Sequence, residues 1–219
     1  MKKWRCTVCG YIHEGTNPPD VCPVCGVGPE FFEEVNEEKT TSDKTENNSP
    51  EKQPWHLDGN EDSVEIIKPA IFKISYGLFI ITSIKEGKLN GQAANTAFQI
   101  TDNPMRMAIG INKNNLTNEF IHSSGLFTIN ILGQQGHDLV RNFGFRSGRD
   151  VDKFADVKYI TGKTGAPILN DCIAYLECRV VTDMTVDVGT HNLFIGEVVA
   201  GKLKADLDPM TYAFYRQTK

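Results

Sequence analysis

Four of the six cysteines fall in two pairs near the start of the chain, Cys6-x-x-Cys9 and Cys22-x-x-Cys25, with 12 residues between the pairs. Two intervening residues make a tight turn that aims both thiolates at one ion. The glycines that follow, Gly10 and Gly26, open the backbone so that its N–H groups can face the sulfurs. Four such thiolates form a tetrahedral all-sulfur site, which suits iron or zinc. His13 comes soon after the first pair, but a four-thiolate site is already full, so it reads as an exposed turn residue. Cys178 shares a strand face with Ala174, Leu176 and Val180, the setting of a small core hydrophobe, while Cys172 follows a loop. Two nucleotide motifs are absent. No Gly-x-Gly-x-x-Gly follows a strand, and Gly162-Lys163-Thr164 imitates a P-loop but has Val157 where the first glycine must stand.

The elements that must carry these residues divide by composition. The chain has 219 residues, 40% apolar and 23% charged, enough for one ordinary domain and a small one. It holds no apolar run of about 18 residues, so no membrane helix is expected. Met1–Cys6 lacks the apolar stretch of a secretory signal, which makes a reducing cytoplasm the expected compartment and metal binding the expected use of the paired cysteines. Residues 1–63 hold 13 acids and six bases, and residues 64–219 hold 15 acids and 17 bases. An acidic front argues against nucleic acid, which needs a basic footprint.

Residues 36–54 contain no apolar side chain, and only Trp55 and Leu57 precede Ser63 in that respect. A segment that cannot bury surface cannot offset its ordering entropy, so 36–62 reads as a flexible polar linker between a domain at 1–35 and one at 63–219. A coil of that length spans about 30 Å. Beyond it, Ile67, Ala70, Ile71 and Ile74 fall at helical spacing. Pro69, best tolerated in a first turn, predicts a start near Lys68. Strand-like runs follow at Leu78–Ile84, Arg106–Asn112, Leu126–Leu132, Ala174–Val181 and Leu193–Val199, with a short helix over Thr117–Gly125. Asn90-Gly91 is a hairpin-turn signal. Five or six strands with short helices predict a mainly β protein whose second domain is a closed or nearly closed antiparallel barrel.

Trp4-Arg5-Cys6-Thr7-Val8-Cys9-Gly10-Tyr11 and Val21-Cys22-Pro23-Val24-Cys25-Gly26 resemble the rubredoxin-like module of rubrerythrins. The resemblance implies mononuclear iron on Cys6, Cys9, Cys22 and Cys25, with Trp4, Tyr11 and Phe32 as a dry shell that tunes its potential. A structural zinc ribbon has the same knuckles and stays as the alternative.

Residues 64–205 resemble the flavin reductase-like split barrels, which are homodimers that bind FMN. The likeness rests on Tyr76-Gly77-Leu78 with Thr82-Ser83, Asn90-Gly91-Gln92-Ala93-Ala94-Asn95-Thr96, and Asn112-Lys113 with Thr117. It continues through Phe143-Gly144-Phe145, Ser147-Gly148-Arg149-Asp150-Val151-Asp152-Lys153-Phe154 and Gly189-Thr190-His191. A flavin needs donors at its pyrimidine edge, polar partners for the ribityl chain, and cations or N–H groups for the phosphate. The resemblance implies Thr82, Ser83, Gln92, Asn95 and Gln99 for the first two, beside Asn90, Ala94 and Phe143. For the phosphate it implies Thr96, Lys113, Thr117 and an arginine among Arg141, Arg146 and Arg149, with Arg149 preferred. The N-terminus of the helix near Thr117 would add its N–H groups. The histidine of Gly-x-His, His191, would lie on the nicotinamide side, aligning rings rather than moving a proton. His56, His122 and His137 read as surface residues.

The domain order resembles that of the high-molecular-weight rubredoxins. It implies electron transfer from NADH or NADPH through FMN to the iron, and on to a flavodiiron nitric oxide or oxygen reductase. Two alternatives stay open: a reductase that releases reduced flavin, and a zinc-ribbon interaction module on a flavin-binding barrel.

Overall fold

The computed structural model describes residues 2–7, 10–23, 27–35 and 63–219. The linker expectation for 36–62, and the positions of Cys9 and Cys25, lie outside the described residues. The chain divides into two compact units, residues 1–67 and 68–219.

In the first unit, β1 (Lys2–Cys6) is the centre of a three-stranded antiparallel sheet, flanked by β2 (Ile12–Gly15) and β3 (Phe32–Glu34). A turn of 3-10 helix at Pro29–Phe31 leads into β3. His13 stands on β2 opposite Trp4, a strand position and not the turn that its spacing suggests, because the turn closes before Ile12. Trp4 and Cys6 share one face of β1, and the Trp4 indole N–H is buried without a partner among the described residues, so that face is dry.

Helix α1 (Val64–Ile71) starts four residues ahead of the predicted Lys68. Ser63 starts it: its carbonyl accepts from Ile66 and Ile67, and its hydroxyl lies 3.4 Å from the Ile66 nitrogen. Pro69 therefore sits inside, where it removes one hydrogen bond from a helix only eight residues long.

The second unit is built on a seven-stranded antiparallel sheet. Its strands are β4 (Phe79–Lys85), β5 (Lys88–Ala94), β6 (Ala97–Asp102), β7 (Met105–Asn112), β8 (Leu126–Leu132), β11 (Cys172–Asp187) and β12 (His191–Leu203). Their order is β5-β4-β8-β11-β12-β7-β6. The outermost strands, β5 and β6, are joined in sequence by Asn95 and Thr96 alone. Three peptide steps span at most about 11 Å, so the sheet must roll until its two edges nearly meet. No ladder joins those edges among the described residues, and the barrel is split along that seam. A two-stranded ribbon of β9 (Tyr159–Thr161) and β10 (Pro167–Leu169) lies apart from this order.

The hairpin turn is at Glu86-Gly87, both at positive φ (50° and 76°), and not at Asn90-Gly91. A two-residue hairpin loop needs two positive φ values to match strand twist, and Asn90-Gly91 lies within the β4–β5 ladder instead.

Two apolar clusters sandwich the central strands. Ile81, Ile109, Ile111, Phe127, Ile129 and Phe194 form one; Ile80, Leu132, Phe143, Phe154, Leu169 and Met210 belong to the other. Strands β4 and β8 therefore have both faces covered. Their polar residues are paired inside: Asn130 Nδ2 donates to Ile80 O and Thr82 Oγ1, and Asn130 Oδ1 accepts from Leu169 N. Around the sheet pack α2 (Leu116–Ser124), α3 (His137–Gly144) and α4 (Tyr212–Thr218).

Candidate functional site

The cysteine unit is closed by two matching loops. Cys6 N donates to Tyr11 O and Cys22 N donates to Val27 O, each at 2.8 Å and each five residues ahead. Gly10, at φ 79°, makes the first turn in the left-handed region and returns a bond to Cys6 O at 2.8 Å. Cys6 and Cys22 are buried to 0% and 1% exposure. Two thiols buried at matching places in matching loops fit the soft donor set of an iron or zinc tetrathiolate.

In the barrel unit, the polar side chains gather where three connections meet: the Asn95–Thr96 link, the β7–α2 turn, and the β11–β12 hairpin end. Gly110 N donates to Thr96 O at 3.1 Å, binding the link to β7. A Cβ at Gly110 would stand 2.9 Å from the Thr96 methyl, so any larger residue there would push the Thr96 side chain aside. Asn115 Nδ2 donates to Gln92 Oε1 at 3.1 Å. Lys113 N donates to Thr190 O at 3.0 Å, and Lys113 Nζ pairs with Asp187 Oδ1 at 2.5 Å. That bond, with a second from Gly189 N at 2.9 Å, holds the exposed Asp187 carboxyl below the usual carboxylate range. His191 stands opposite Asn112 on the β12–β7 ladder, and its Nδ1 lies 2.8 Å from Thr190 Oγ1.

Helix α2 opens onto this cluster. Its N-cap is Asn115, whose side chain makes no capping bond because it is turned to Gln92. The first-turn N–H groups thus lack the usual side-chain acceptor, and Lys113 supplies a cation two residues before the cap. An uncapped helix start beside a lysine and a row of amides is the chemistry that a phosphate and a polyol chain require, so these residues fit FMN. Gln92, Ala94, Asn95, Thr96, Lys113 and His191 of the sequence reading are brought together here, all half-buried.

Others of that reading stand elsewhere. Thr82 and Ser83 are 0% exposed; their hydroxyls donate to Pro167 O at 2.5 Å and Leu126 O at 2.8 Å. On a strand covered on both faces these hydroxyls are engaged inside the core, apart from the polar cluster. Asn90 and Thr117 are buried against each other at 2.9 Å, a strut between β5 and α2. Phe143 is a core ring, edge-on to Phe154 with centroids 5.2 Å apart. Gln99 is exposed on β6 and bonded to Asp102 and Thr101. Arg149 pairs with Glu119 on α2 and lines a separate cleft of about 530 Å³ with Lys88, Asn90 and Lys153. Arg141 pairs with Asp138 at 2.7 Å and Arg146 with Asn142 Oδ1 at 3.1 Å. His122 and His137 are tied in: His122 to Asn192 at 2.9 Å, His137 to Thr218 at 2.7 Å and against Tyr215. His56 lies outside the described residues. Cys178 is a core thiol as expected, pushed up to about 12 by burial.

Sequence reading misses three participants: Asn115, Asp187 and Thr190. Asp187 meets Lys113 across 74 residues, and only the β11–β12–β7 ladder order could have placed them together.

Residues 71–219 match the family described as flavin reductase like domain. The chain belongs to the flavin reductase-like family. Residues 4–33 match the rubrerythrin, rubredoxin-like domain. The high molecular weight rubredoxin of Moorella thermoacetica is 46% identical over 152 residues, 68% of this chain and 66% of that protein, so the match falls just short of two thirds of its length. The ferric-chelate reductase (NAD(P)H) of Archaeoglobus fulgidus is 41% identical over 152 residues, 68% of this chain and 89% of its own. Among solved structures, flavin reductase HpaC complexed with NADP+ superposes with a TM-score of 0.60 at 28% identity, over 68% of this chain and 93% of that one. This flavin reductase-like barrel sits in a chain with no described helix long and apolar enough to cross a membrane.

Proposed function

We propose that the chain is an electron-transfer oxidoreductase that carries electrons from NADH or NADPH, through FMN in the barrel, to iron on Cys6, Cys9, Cys22 and Cys25. An external redox protein of the flavodiiron type takes them on. The observation that carries the flavin part is the uncapped start of α2 beside Lys113, Gln92, Asn95 and Thr96. FMN, when bound, converts a two-electron hydride donor into a source of single electrons, and thiolate-bound iron accepts one at a time. The protein's own task is alignment and charge. Lys113 and the α2 amides take the phosphate, and the Asn95–Thr96 link meets the ring edge. His191, fixed by Thr190, borders the donor side.

Support for this donor and relay comes from the relatives: one is named a ferric-chelate reductase (NAD(P)H), another a high molecular weight rubredoxin, and a structural neighbour holds NADP+. Support for the acceptor class comes from a diflavin flavoprotein of Synechocystis, 30% identical over 152 residues that make up 26% of its length. The exposed edge strand β6, with Phe98 and Ile100 open to solvent, supports pairing of two barrels into a homodimer.

The test is an anaerobic titration of the purified protein with NADH and with NADPH, following the flavin and ferric–thiolate bands separately. Bleaching of both without added flavin is the expected result. A flavin band that bleaches beside a persistent ferric band removes the relay. Zinc with no ferric band removes the iron.

A further inference from the structure

A groove of about 570 Å³ opens between the chain following α1 and helix α4, lined among others by Phe72, Ile74, Asn95, Thr96, Tyr212 and Arg216. Its volume suits a small molecule or one end of a larger one. Phe72 and Ile74 are more than half exposed in its wall. The Arg216 guanidinium lies 4.9 Å from the centre of the Phe72 ring and 5.9 Å from that of Tyr212. Among the described residues no carboxylate pairs with Arg216. A planar cation held between aromatic faces, with its hydrogen-bonding edge unengaged, is pre-set for a phosphate and for a stacked ring. The amides and hydroxyl of the Asn95–Thr96 link form the other side of the same groove.

We propose that this groove seats the phosphate-bearing end of the nicotinamide dinucleotide donor, with Arg216 on a phosphate and the rings of Phe72 and Tyr212 beside the base. The proposal rests on the reading above in one respect: the Asn95–Thr96 link that borders the groove is the link assigned to the flavin edge, so a donor seated there reaches the flavin. The ligand needs both parts of the chemistry. A bare anion leaves the exposed apolar wall in water, and a neutral ring leaves the guanidinium edge unmatched.

The experiment measures equilibrium binding of NADP+ and of NAD+ to the flavin-loaded full chain and to Arg216→Ala and Arg216→Lys, with FMN retention measured on the same samples. Arg216 is on the surface, and a thermal melt of each variant confirms the fold. Arg216→Ala is expected to weaken dinucleotide binding about tenfold, with Arg216→Lys recovering part of it and FMN retention unchanged. Loss for NADP+ alone places the 2′-phosphate on Arg216, and equal loss for both places the pyrophosphate there. Unchanged dinucleotide affinity overturns the proposal, as does loss of FMN in its place, which would make the groove part of the flavin site. Wild-type protein that binds dinucleotide through Arg216 but is reduced by neither donor overturns the oxidoreductase reading and leaves the groove assignment standing.

Discussion

At the scale of single residues, the proposed flavin site turns on Lys113. Its Nζ is held by Asp187, whose carboxyl stays ionised well into acid because Lys113 and Gly189 N–H both bond to it. The lysine head is therefore kept beside the start of α2 instead of sweeping through solvent. A phosphate placed at that helix start gains a charge-assisted bond that riboflavin, which has no phosphate, does not make. Lys113→Ala is expected to weaken FMN binding by about tenfold to a hundredfold, the range of one charged hydrogen bond, and to leave riboflavin affinity unchanged. Flavin fluorescence titrations of both ligands read this directly, and equal weakening of the two would remove Lys113 from the phosphate. Lys113 was legible in the sequence as a cation near a helix start. The burial of Thr82 and Ser83 was not legible, because a hydroxyl's availability depends on what covers its strand, and covering is set by β10 and β8, far away in sequence.

At the scale of elements, strands were legible where both neighbours and side chains agree on a period of two. Leu126–Leu132 runs as predicted, while β11 extends to Asp187 because its last residues form an exposed arm in which Met184 and Val186 are the only apolar side chains, too few to mark a strand. Strand β5 escaped notice for a related reason. Its sequence Lys-Leu-Asn-Gly-Gln-Ala-Ala has low strand propensity, and pairing with β4 imposes the extended form. What joins β5 to α3 is Lys153, buried to 6% exposure, whose Nζ donates to Gly91 O at 2.9 Å and Phe143 O at 3.1 Å. Burial first, and then the nearby Arg146 charge, push its pKa down to about 8. The folded pKa lies below the unfolded value near 10.5, so the folded state binds fewer protons between them, and stability gains as pH rises from about 8 toward 10.5. The neutral amine keeps two N–H donors for the two carbonyls. Lys153→Met leaves both carbonyls without that donor and is expected to lower stability by about 1–3 kcal/mol. In urea unfolding, the gap between wild type and Lys153→Met should widen from pH 7.5 to 9.5. A gap that narrows instead would show that the protonated form is the one that the fold prefers.

At the scale of the whole molecule, the two units differ in charge and in chemistry, and the sequence shows both differences before any fold is known. Residues 1–63 carry an excess of acid, and residues 64–219 a slight excess of base. The cysteine pairs of the first unit are legible because their spacing is local; the polar cluster at the start of α2 is only partly legible because it is assembled from three connections distant in sequence. If the first unit is a one-electron relay, its loss should interrupt only the later stage of electron flow. Cys6→Ser replaces a soft thiolate by a hydroxyl at a position with 0% exposure, which is expected to weaken the proposed iron binding and leaves the barrel's sequence unchanged. The expected outcome is a variant whose flavin is reduced by the nicotinamide donor at the wild-type rate, with the ferric–thiolate band diminished and reduction of an external flavodiiron protein slowed at least tenfold. Stopped-flow spectra separate the two stages. Slower flavin reduction in Cys6→Ser would show instead that the cysteine unit acts on the donor step. An unchanged rate to the flavodiiron protein would show that electrons leave from the flavin directly, the behaviour of a reductase for which the acidic unit serves only as a docking surface. Because an acidic surface attracts a basic partner less strongly as salt screens it, that last case retains a clear signature. The rate to the acceptor would fall with ionic strength equally in wild type and Cys6→Ser, since charge and not iron would then be the first unit's contribution.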